Sequence, residues 1–253
     1  MRTVPLGVQL IVFSRQGERY PNNRAVLEAV ARSGFTAIET GVGALRGDPD
    51  GYRRDLASLG LSVCGFHGGV TADLDETLWG LEQVGARDLC VSSLGGYGNT
   101  IAANYERDLE TFAAMADTCA THGVALHYHN HAYEFEPTDR GDTGMALILA
   151  ALAQMPADLC VDVAWVHLAG LDPVAFLRQH AALVSYVHLK DYEGDRHWLP
   201  LGEGVVPLYD VVACLPELPA LRCVAVEQDA SDLTAEESCA RSRRFLRGLQ
   251  PGW

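Results

Sequence analysis

The sequence predicts an α/β fold, a single (β/α)8 TIM barrel that occupies residues 1–253 as one domain. Three observations favour this fold. Short apolar runs alternate with longer amphipathic segments along the chain, such pairs number eight, and no low-complexity segment or long linker interrupts them. A hydrophobic content of 48% is ample for one large core, and α/β barrels of this length are common as one domain.

Eight short runs rich in Val, Ile, Leu and Cys are the predicted strands. They lack strict alternation of apolar and polar residues, which is expected when both faces of a parallel strand are covered. In chain order they are residues 4–12 (VPLGVQLIV), 35–40 (FTAIET), 61–66 (LSVCGF), 88–93 (DLCVSS), 124–129 (VALHYH), 158–163 (DLCVDV), 184–189 (VSYVHL) and 222–227 (RCVAVE).

Helix start and stop signals lie between these runs. Residues 22–34, 72–85 and 104–123 each stop at a glycine, the first opens with asparagines, and the second has acids in its first turn. The alternative fold is a doubly wound open sheet. That fold would place a Gly-rich turn of dinucleotide type after the first strand, whereas Gly7 lies within the predicted strand itself.

The charge and the cysteines limit the partners and the compartment. A formal net charge of −14 argues against nucleic acid and against an anionic membrane surface, and leaves a small sugar or polyol as the expected partner. The apolar run near the N-terminus is too short for a secretory signal or a membrane span. Seven cysteines without a CxxC motif indicate reduced core residues in a cytoplasmic protein. Homo-oligomer formation is left open.

In a (β/α)8 barrel, functional side chains lie at the C-terminal ends of the strands. This rule names eight short windows, and those of the second half are richer in metal-type ligands. The polar residues in the windows are Gln9, Glu39, His67, Ser92 and Ser93, His127 to His131, Asp162, His188 with Lys190 and Asp191, and Glu227 with Gln228 and Asp229.

A carboxylate, an imidazole and a carboxylate end three consecutive predicted strands, at Asp162, His188 and Glu227. Each has a structural alternative, such as a helix N-cap for Asp162, but in a barrel they converge on one mouth. A buried carboxylate also needs a cation, a metal or a proton. Mixed carboxylate and imidazole ligation suits Mn²⁺, Co²⁺ or Zn²⁺. The preceding strand adds further candidates, which are His127, His129, His131 and Glu134.

The chain resembles the xylose-isomerase-like barrel superfamily of sugar-phosphate isomerases and epimerases. Its relatives include ketose 3-epimerases, inosose isomerases and dehydratases, hydroxypyruvate isomerases and endonuclease IV. The resemblance covers nearly the whole chain. It is carried by GVQL at Gly7, YHNHAYEFE at Tyr128, LCVDVAWVHLAGLDP at Leu159, VHLKD at Val187, GEGVV at Gly202 and VEQD at Val226.

The resemblance implies a divalent metal, with Mn²⁺ first and Co²⁺ or Zn²⁺ as alternatives, bound by Glu, Asp, His and Glu of the last four strands. Asp162, His188 and Glu227 match three of these positions.

The first ligand is where this chain departs from the epimerase pattern. Alignment places His127 at the position of the fifth-strand glutamate. Glu134, just past the strand, is the preferred ligand, and His129 and His131 are the alternatives.

The activity that the resemblance implies is a metal-dependent sugar isomerase or epimerase of carbohydrate metabolism. It would act on a keto-sugar or related polyol through a metal-stabilised enediolate. Glu227 is one acid or base, and His129 or His131 is the other, because imidazole titrates near neutral pH. Because the second acid or base is a histidine, the alternative activity is that of a metal-dependent dehydratase or lyase of the inosose or 3-keto-glycoside type. A barrel that only binds a sugar is a third hypothesis.

Three further residues are candidate substrate contacts. His67 and Lys190 could bind hydroxyls or an oxyanion, and Trp165 could form an apolar wall against a sugar ring. Their alternatives are a capping histidine, a solvated loop cation and a packed loop residue. Family members that cleave DNA carry an additional histidine where this chain has Trp165, so a nuclease is disfavoured.

Overall fold

The structure, a computed structural model, describes residues 4–70 and 72–250. The strands are β1 Leu6–Gln9, β2 Ala37–Thr40, β3 Ser62–Gly69, β4 Asp88–Ser92, β5 Ala125–His129, β6 Ala157–Asp162, β7 Val184–Leu189, β8 Asp191–Glu193, β9 His197–Leu199 and β10 Cys223–Val226. The helices are α1 Ile11–Ser14, α2 Asn23–Ser33, α3 Pro49–Leu59, α4 Leu74–Val84, α5 Ala102–Thr121, α6 Gly144–Leu152, α7 Val163–Leu168, α8 Pro173–Gln179, α9 Leu208–Cys214 and α10 Ala235–Leu249. Short 3₁₀ turns span Val42–Leu45, Tyr133–Phe135 and Leu215–Glu217.

Eight parallel strands close into a barrel, which confirms the predicted fold. Strands β1 to β7 neighbour one another in chain order, and β10 closes the ring between β7 and β1. Val8 of β1 pairs with Val226 of β10 on one side and with Ile38 of β2 on the other. All eight C-terminal strand ends therefore open at the same mouth.

Two local features differ from the prediction. The first strand was predicted over residues 4–12, but β1 ends at Gln9 and the chain turns into α1. The Gln9 Oε1 atom accepts a hydrogen bond from the Ile11 backbone N at 2.5 Å, which satisfies a group at the start of that helix. The loop after β7 also contains an antiparallel hairpin of β8 and β9, which the apolar pattern did not indicate.

The predicted helix caps are confirmed. The Asn22 side chain accepts a hydrogen bond from the Ala25 backbone N at the start of α2. Gly34 ends that helix with φ of 90°, and Gly85 ends α4 with φ of 70°, in the left-handed region that glycine tolerates best. Over the described ranges, no helix has both the length and the apolar character needed to cross a bilayer.

A layer of small sulfur-containing side chains fills the middle of the barrel. Cys90, Cys160 and Cys223 pack against Tyr186, and Cys64 lies beside them. All seven cysteines are free. Side chains two positions apart on a strand point to the same face of the sheet. Interior polar residues two positions before the cysteine layer therefore lie at one end of the barrel, and those two positions after it lie at the other end. The layer therefore separates two polar clusters.

Candidate metal centre

Four side chains converge at the C-terminal mouth and form a candidate metal site. His67 of β3, His129 of β5, His188 of β7 and Glu227, which follows β10, each offer one ligand atom. These atoms all lie within 4.8 Å of one another. His129, His188 and Glu227 are buried, whereas the His67 side chain is 19% exposed. The structure thus brings together residues that are up to 160 positions apart in the sequence, from His67 to Glu227.

His188 lies between two carboxylates. Its Nε2 atom is 2.7 Å from Glu39 Oε2, and its Nδ1 atom is 2.5 Å from Glu227 Oε2. The second contact is not aligned as a hydrogen bond. His188 Nδ1 and Glu227 Oε2 therefore each lack a hydrogen-bond partner. Burial would lower the pKa of His188, but the charges of Glu39 and Glu227 hold it well above its usual value. The two carboxylates therefore favour a positive charge at this point.

Glu39, at the end of β2, is fully buried and joins two imidazoles of the site. Its Oε1 atom is 3.0 Å from His67 Nδ1, and its Oε2 atom contacts His188. Burial alone would raise the pKa of Glu39, but the charge and hydrogen bonds of His188 and His67 lower it to about 2. The sequence showed Glu39 as a polar residue at a strand end and assigned it no role.

Lys190, the only lysine in the sequence, is fully buried beside the same carboxylates. Its Nζ atom lies 3.0 Å from Glu227 Oε1, 3.5 Å from Asp162 Oδ2 and 2.6 Å from Asp229 Oδ2. Burial would lower the pKa of Lys190, but Glu227, Asp162 and Asp229 raise it. The predicted alternative of a solvated loop cation does not agree with this burial.

Asp162 uses its two oxygens differently. Oδ1 caps α7 by accepting hydrogen bonds from the backbone N atoms of Ala164 and Trp165, at 2.9 and 3.1 Å. Oδ2 is buried without a hydrogen-bond partner. Burial raises the pKa of Asp162 to about 6, although the charge of Lys190 opposes the increase. The N-cap interpretation is therefore compatible with ligation, because one oxygen remains available.

Aromatic rings surround the opening of the site. The His131 ring packs on Trp165 at 5.4 Å and on the exposed Tyr97 at 5.2 Å, between ring centroids. Trp165 also packs on Trp198 at 5.0 Å, and Lys190 Nζ lies within 4.9 Å of both indole centroids. The buried His131 Nδ1 and Trp165 Nε1 have no hydrogen-bond partner. These polar atoms are available to a bound molecule.

His129 is the β5 residue that lies with the other candidate ligands. Its ring centroid is 4.7 Å from that of His188 and 5.1 Å from that of His67. Burial lowers the pKa of His129 well below its usual value, although the charge of Glu227 opposes the shift, and this favours the neutral ring. A neutral imidazole is the form that binds a metal ion.

Glu134 lies outside the group of ligand atoms. One oxygen accepts a hydrogen bond from Tyr128 OH at 2.5 Å, and the other accepts from the His131 backbone N at 2.6 Å. Both oxygens of this buried carboxylate are thus engaged beside β5 rather than at the cluster of His129, His188 and Glu227. Ligation by Glu134 stays a prediction, and the geometry gives it no support.

His127 lies at the opposite end of the barrel. Its Nδ1 atom is 2.8 Å from Ser185 Oγ, and its Nε2 atom is 3.0 Å from Asp88 Oδ1. Arg222 contacts the same carboxylate, with Nη2 at 3.2 Å from Oδ2. Asp88 is the first residue of β4, so this network lies below the cysteine layer. The position that alignment matched to the first metal ligand is therefore two residues before His129 on β5, and its side chain bonds toward the other end of the barrel interior.

The donor atoms fit a divalent transition ion. Asp162 Oδ2, His188 Nδ1 and Glu227 Oε2 are buried without an aligned hydrogen bond, and their nearby charged partners are Lys190 for the first and each other for the last two. An ion in the cluster would satisfy His188 Nδ1 and Glu227 Oε2, and His129 and His67 add imidazole nitrogens within 4.8 Å, whereas Asp162 is not a member of that group. Imidazole and carboxylate donors together form a set suited to Mn²⁺, Co²⁺ or Zn²⁺.

Comparison with known proteins agrees with the fold. The chain is 17% identical to a sugar phosphate isomerase/epimerase from Parabacteroides distasonis, with 100% of this chain and 96% of that chain covered and a TM-score of 0.80. The IolI protein, whose structure contains a zinc atom, is 14% identical, with 97% of each chain covered and a TM-score of 0.75. The D-allulose 3-epimerase of Methylomonas sp., in complex with D-allulose, is 16% identical, with 98% of each chain covered and a TM-score of 0.72.

At these identities, the structural likenesses show the fold alone. No curated protein matches the chain. The family described as xylose isomerase-like TIM barrel matches residues 27–249, which include all four residues of the candidate metal site. The chain therefore belongs to the xylose isomerase-like TIM barrel family.

Proposed function

We propose that this protein is a divalent-metal-dependent sugar isomerase or epimerase that acts on a keto-sugar or a related polyol. The observation that carries the proposal is the convergence of ligand atoms from His67, His129, His188 and Glu227, beside the buried Asp162 Oδ2, which has no hydrogen-bond partner. The sugar phosphate isomerase/epimerase and the D-allulose 3-epimerase of the same fold support this class of reaction.

The proposed ligands are His129, Asp162, His188 and Glu227. His129 takes the place that was predicted first for Glu134, because the oxygens of Glu134 accept hydrogen bonds elsewhere. The proposed ion is Mn²⁺, with Co²⁺ or Zn²⁺ as alternatives. When bound, it would polarise a carbonyl and a neighbouring hydroxyl of the substrate and acidify the C–H bond between them.

Glu227 and His131 are the proposed proton-transfer groups. The Glu227 carboxylate accepts the proton from carbon, and Lys190, 3.0 Å from its Oε1 atom, holds it in place. His131 lies at the opening, and its Nδ1 atom, which is 3.7 Å from Glu134 Oε1 and has no hydrogen-bond partner, is the proposed source of the proton that returns to the substrate. Return to the opposite face gives epimerisation, and return to the neighbouring carbon gives isomerisation.

Three residues are proposed to orient the substrate. Lys190 places a fixed positive charge at the site, where it can stabilise an oxygen that gains negative charge. Trp165 offers an indole face and the free Nε1 donor. His67 is the most exposed residue of the cluster, so its ring can contact a substrate hydroxyl as well as the ion.

A dehydratase or lyase of the inosose or 3-keto-glycoside type is the second candidate. The observation that favours it is the position of Glu134, which leaves histidines rather than a carboxylate opposite Glu227. In this reaction Glu227 would remove a proton from carbon while His131 protonates the departing β-hydroxyl, which leaves as water.

Proton NMR of candidate keto-sugars in D₂O, combined with metal analysis of the purified protein, separates these functions. The proposal predicts a stoichiometric divalent ion and deuterium uptake next to the carbonyl without loss of water, both abolished by a chelator. An unsaturated diketo product would support the dehydratase. Stoichiometric ion with neither exchange nor elimination would overturn catalysis and leave a sugar-binding barrel.

We further propose a cytoplasmic location. The support is the set of seven free cysteines, of which all but Cys64 are buried. Thiols of this kind persist in a reducing compartment.

A further inference from the structure

We propose that Glu39 is a positioning residue that orients two imidazoles of the metal centre at once. Its single carboxylate accepts a hydrogen bond from His188 and another from His67, so that the remaining nitrogen of each ring faces the site. This inference rests on the proposed function, because it assigns Glu39 a role toward the divalent ion.

The geometry places Glu39 at the junction of three strands. Oε2 is 2.7 Å from His188 Nε2, and Oε1 is 3.0 Å from His67 Nδ1. The ring centroids of the two histidines are 6.0 Å apart, with an angle of 35° between the planes. The β2–β3 register shifts between Ile38 and Glu39, so that Glu39 pairs with Gly65. The carboxylate lies beside both rings.

An imidazole that donates one N–H to a carboxylate has its tautomer and its ring orientation fixed. The other nitrogen then presents a lone pair, and such outer carboxylates strengthen metal binding by histidine. For His188 the free nitrogen is Nδ1, which points to Glu227 Oε2 at 2.5 Å. For His67 it is Nε2, which lies 3.3 Å from Ser92 Oγ. His188 Nδ1 thus faces the cluster without a hydrogen-bond partner, whereas His67 Nε2 is hydrogen-bonded to the Ser92 hydroxyl.

A purely structural role explains Glu39 less well. The carboxylate is fully buried. Within the part of the chain that the structure describes, it forms ion pairs with His67 and His188, both members of the candidate metal site. A packed apolar side chain would fill the same space without the desolvation penalty of a charge. The carboxylate is therefore best explained by what it does to the two rings.

A second buried carboxylate–imidazole pair in the same barrel provides a matched control. Asp88 Oδ1 lies 3.0 Å from His127 Nε2 at the opposite end of the interior. There the other ring nitrogen is bonded to Ser185 Oγ, and Arg222 pairs with the carboxylate. This pair is similar in chemistry, yet its histidine does not present a free nitrogen to the candidate metal site.

The first test compares ion affinity in Glu39→Gln and Asp88→Asn by chelator competition with Mn²⁺ and Co²⁺. Glu39→Gln is expected to weaken binding by about 10–100-fold, whereas Asp88→Asn stays within about twofold of the wild type. Equal affinity of Glu39→Gln and the wild type would overturn this inference alone. A wild-type protein that binds no stoichiometric ion would overturn the proposed function and this inference together.

A second test uses the wild-type protein and so does not depend on the folding of a variant. Nitrogen-15 NMR of histidine-labelled, Zn²⁺-loaded protein reports which ring nitrogen carries the proton. The expected result is a proton on Nε2 of His188 with the ion on Nδ1, and a proton on Nδ1 of His67. Zinc bound through Nε2 of His188, or a proton on Nε2 of His67, would contradict the role of Glu39.

Discussion

Lys190 shows how a single side chain changes the electrostatics of the site. It is the only lysine in a chain with a net charge of −14, yet it is fully buried. Three carboxylates surround its ammonium group, and two indole rings cover it. Lysine is rarely buried unless it is paired, so the position requires these carboxylates. They in turn require a cation.

Removing this charge should destabilise the protein. In Lys190→Met, the carboxylates of Asp162 and Glu227 remain buried without their cation, so the free energy of unfolding should fall by about 3–5 kcal/mol. Urea unfolding without added metal measures the difference. Arg178→Met is the control, because its ion pair with Glu217 is exposed and such pairs contribute about 0–1 kcal/mol. Equal losses in both variants would contradict the electrostatic role of Lys190.

Glu227 should be indispensable for turnover. Glu227→Gln keeps the shape of the side chain but removes its ability to accept a proton. We expect kcat to fall by at least about 100-fold, with the far-UV circular dichroism unchanged. The rate of deuterium uptake by a keto-sugar substrate is the measurement, and Glu217→Gln on the exposed surface is the control. Activity close to that of the wild type would remove Glu227 from the mechanism.

At the scale of elements, the N-terminal ends of four barrel strands are linked by a polar network. Asp88 begins β4, His127 lies on β5, Ser185 lies on β7, and Arg222 precedes β10. Burial would raise the pKa of Asp88, but hydrogen bonds from His127 and Arg222 lower it below the usual 3.8. The folded state therefore favours the charged carboxylate, and the network adds stability to the barrel.

This network predicts a pH-dependent difference between the wild type and Asp88→Asn. A lowered pKa in the folded state stabilises the fold above the ordinary value of 3.8, and the contribution is lost as pH falls through the folded pKa. The wild type should be more stable than the variant at pH 7, and the gap should narrow below about pH 4. Urea unfolding across this range measures the gap. A gap that is independent of pH would contradict the ionised Asp88.

The regular elements could be predicted because their signals are local. Asn22 and Gly34 mark the ends of α2, and short apolar runs mark each barrel strand. The hairpin of β8 and β9 could not be predicted, because its strands have three residues each and depend on tertiary contacts. The end of β1 was missed because apolar residues continue into α1, and periodicity does not separate the two over so short a run.

At the scale of the whole molecule, the site is assembled by barrel closure. The strand-end rule correctly selected His188 and Glu227 for the cluster, since both end apolar runs. The contacts of Glu39 and Glu134 could not be predicted, because they depend on side chains of distant strands and on a 3₁₀ turn. The proposal of His129 in place of Glu134 therefore rests on tertiary structure.

Because the proposed ligands come from four strands, ion binding should stabilise the whole barrel. An ion that binds only the folded state adds about 2.7 kcal/mol when its free concentration is 100 times Kd. The thermal midpoint should therefore rise with Mn²⁺, and a chelator should lower it. Differential scanning calorimetry measures the shift, with Mg²⁺ as the comparison ion because it prefers oxygen ligands. An unchanged midpoint at saturating Mn²⁺ would contradict coupling of the ion to the fold.

Anomalous X-ray scattering at the manganese edge, from crystals grown with Mn²⁺, tests the central claim most directly. The predicted result is one strong peak within bonding distance of His129, Asp162 Oδ2, His188 Nδ1 and Glu227 Oε2. A peak bonded to Glu134 in place of His129 would contradict the proposed ligand set. Manganese bound only at exposed carboxylates, with none among these four side chains, would contradict the metal centre itself.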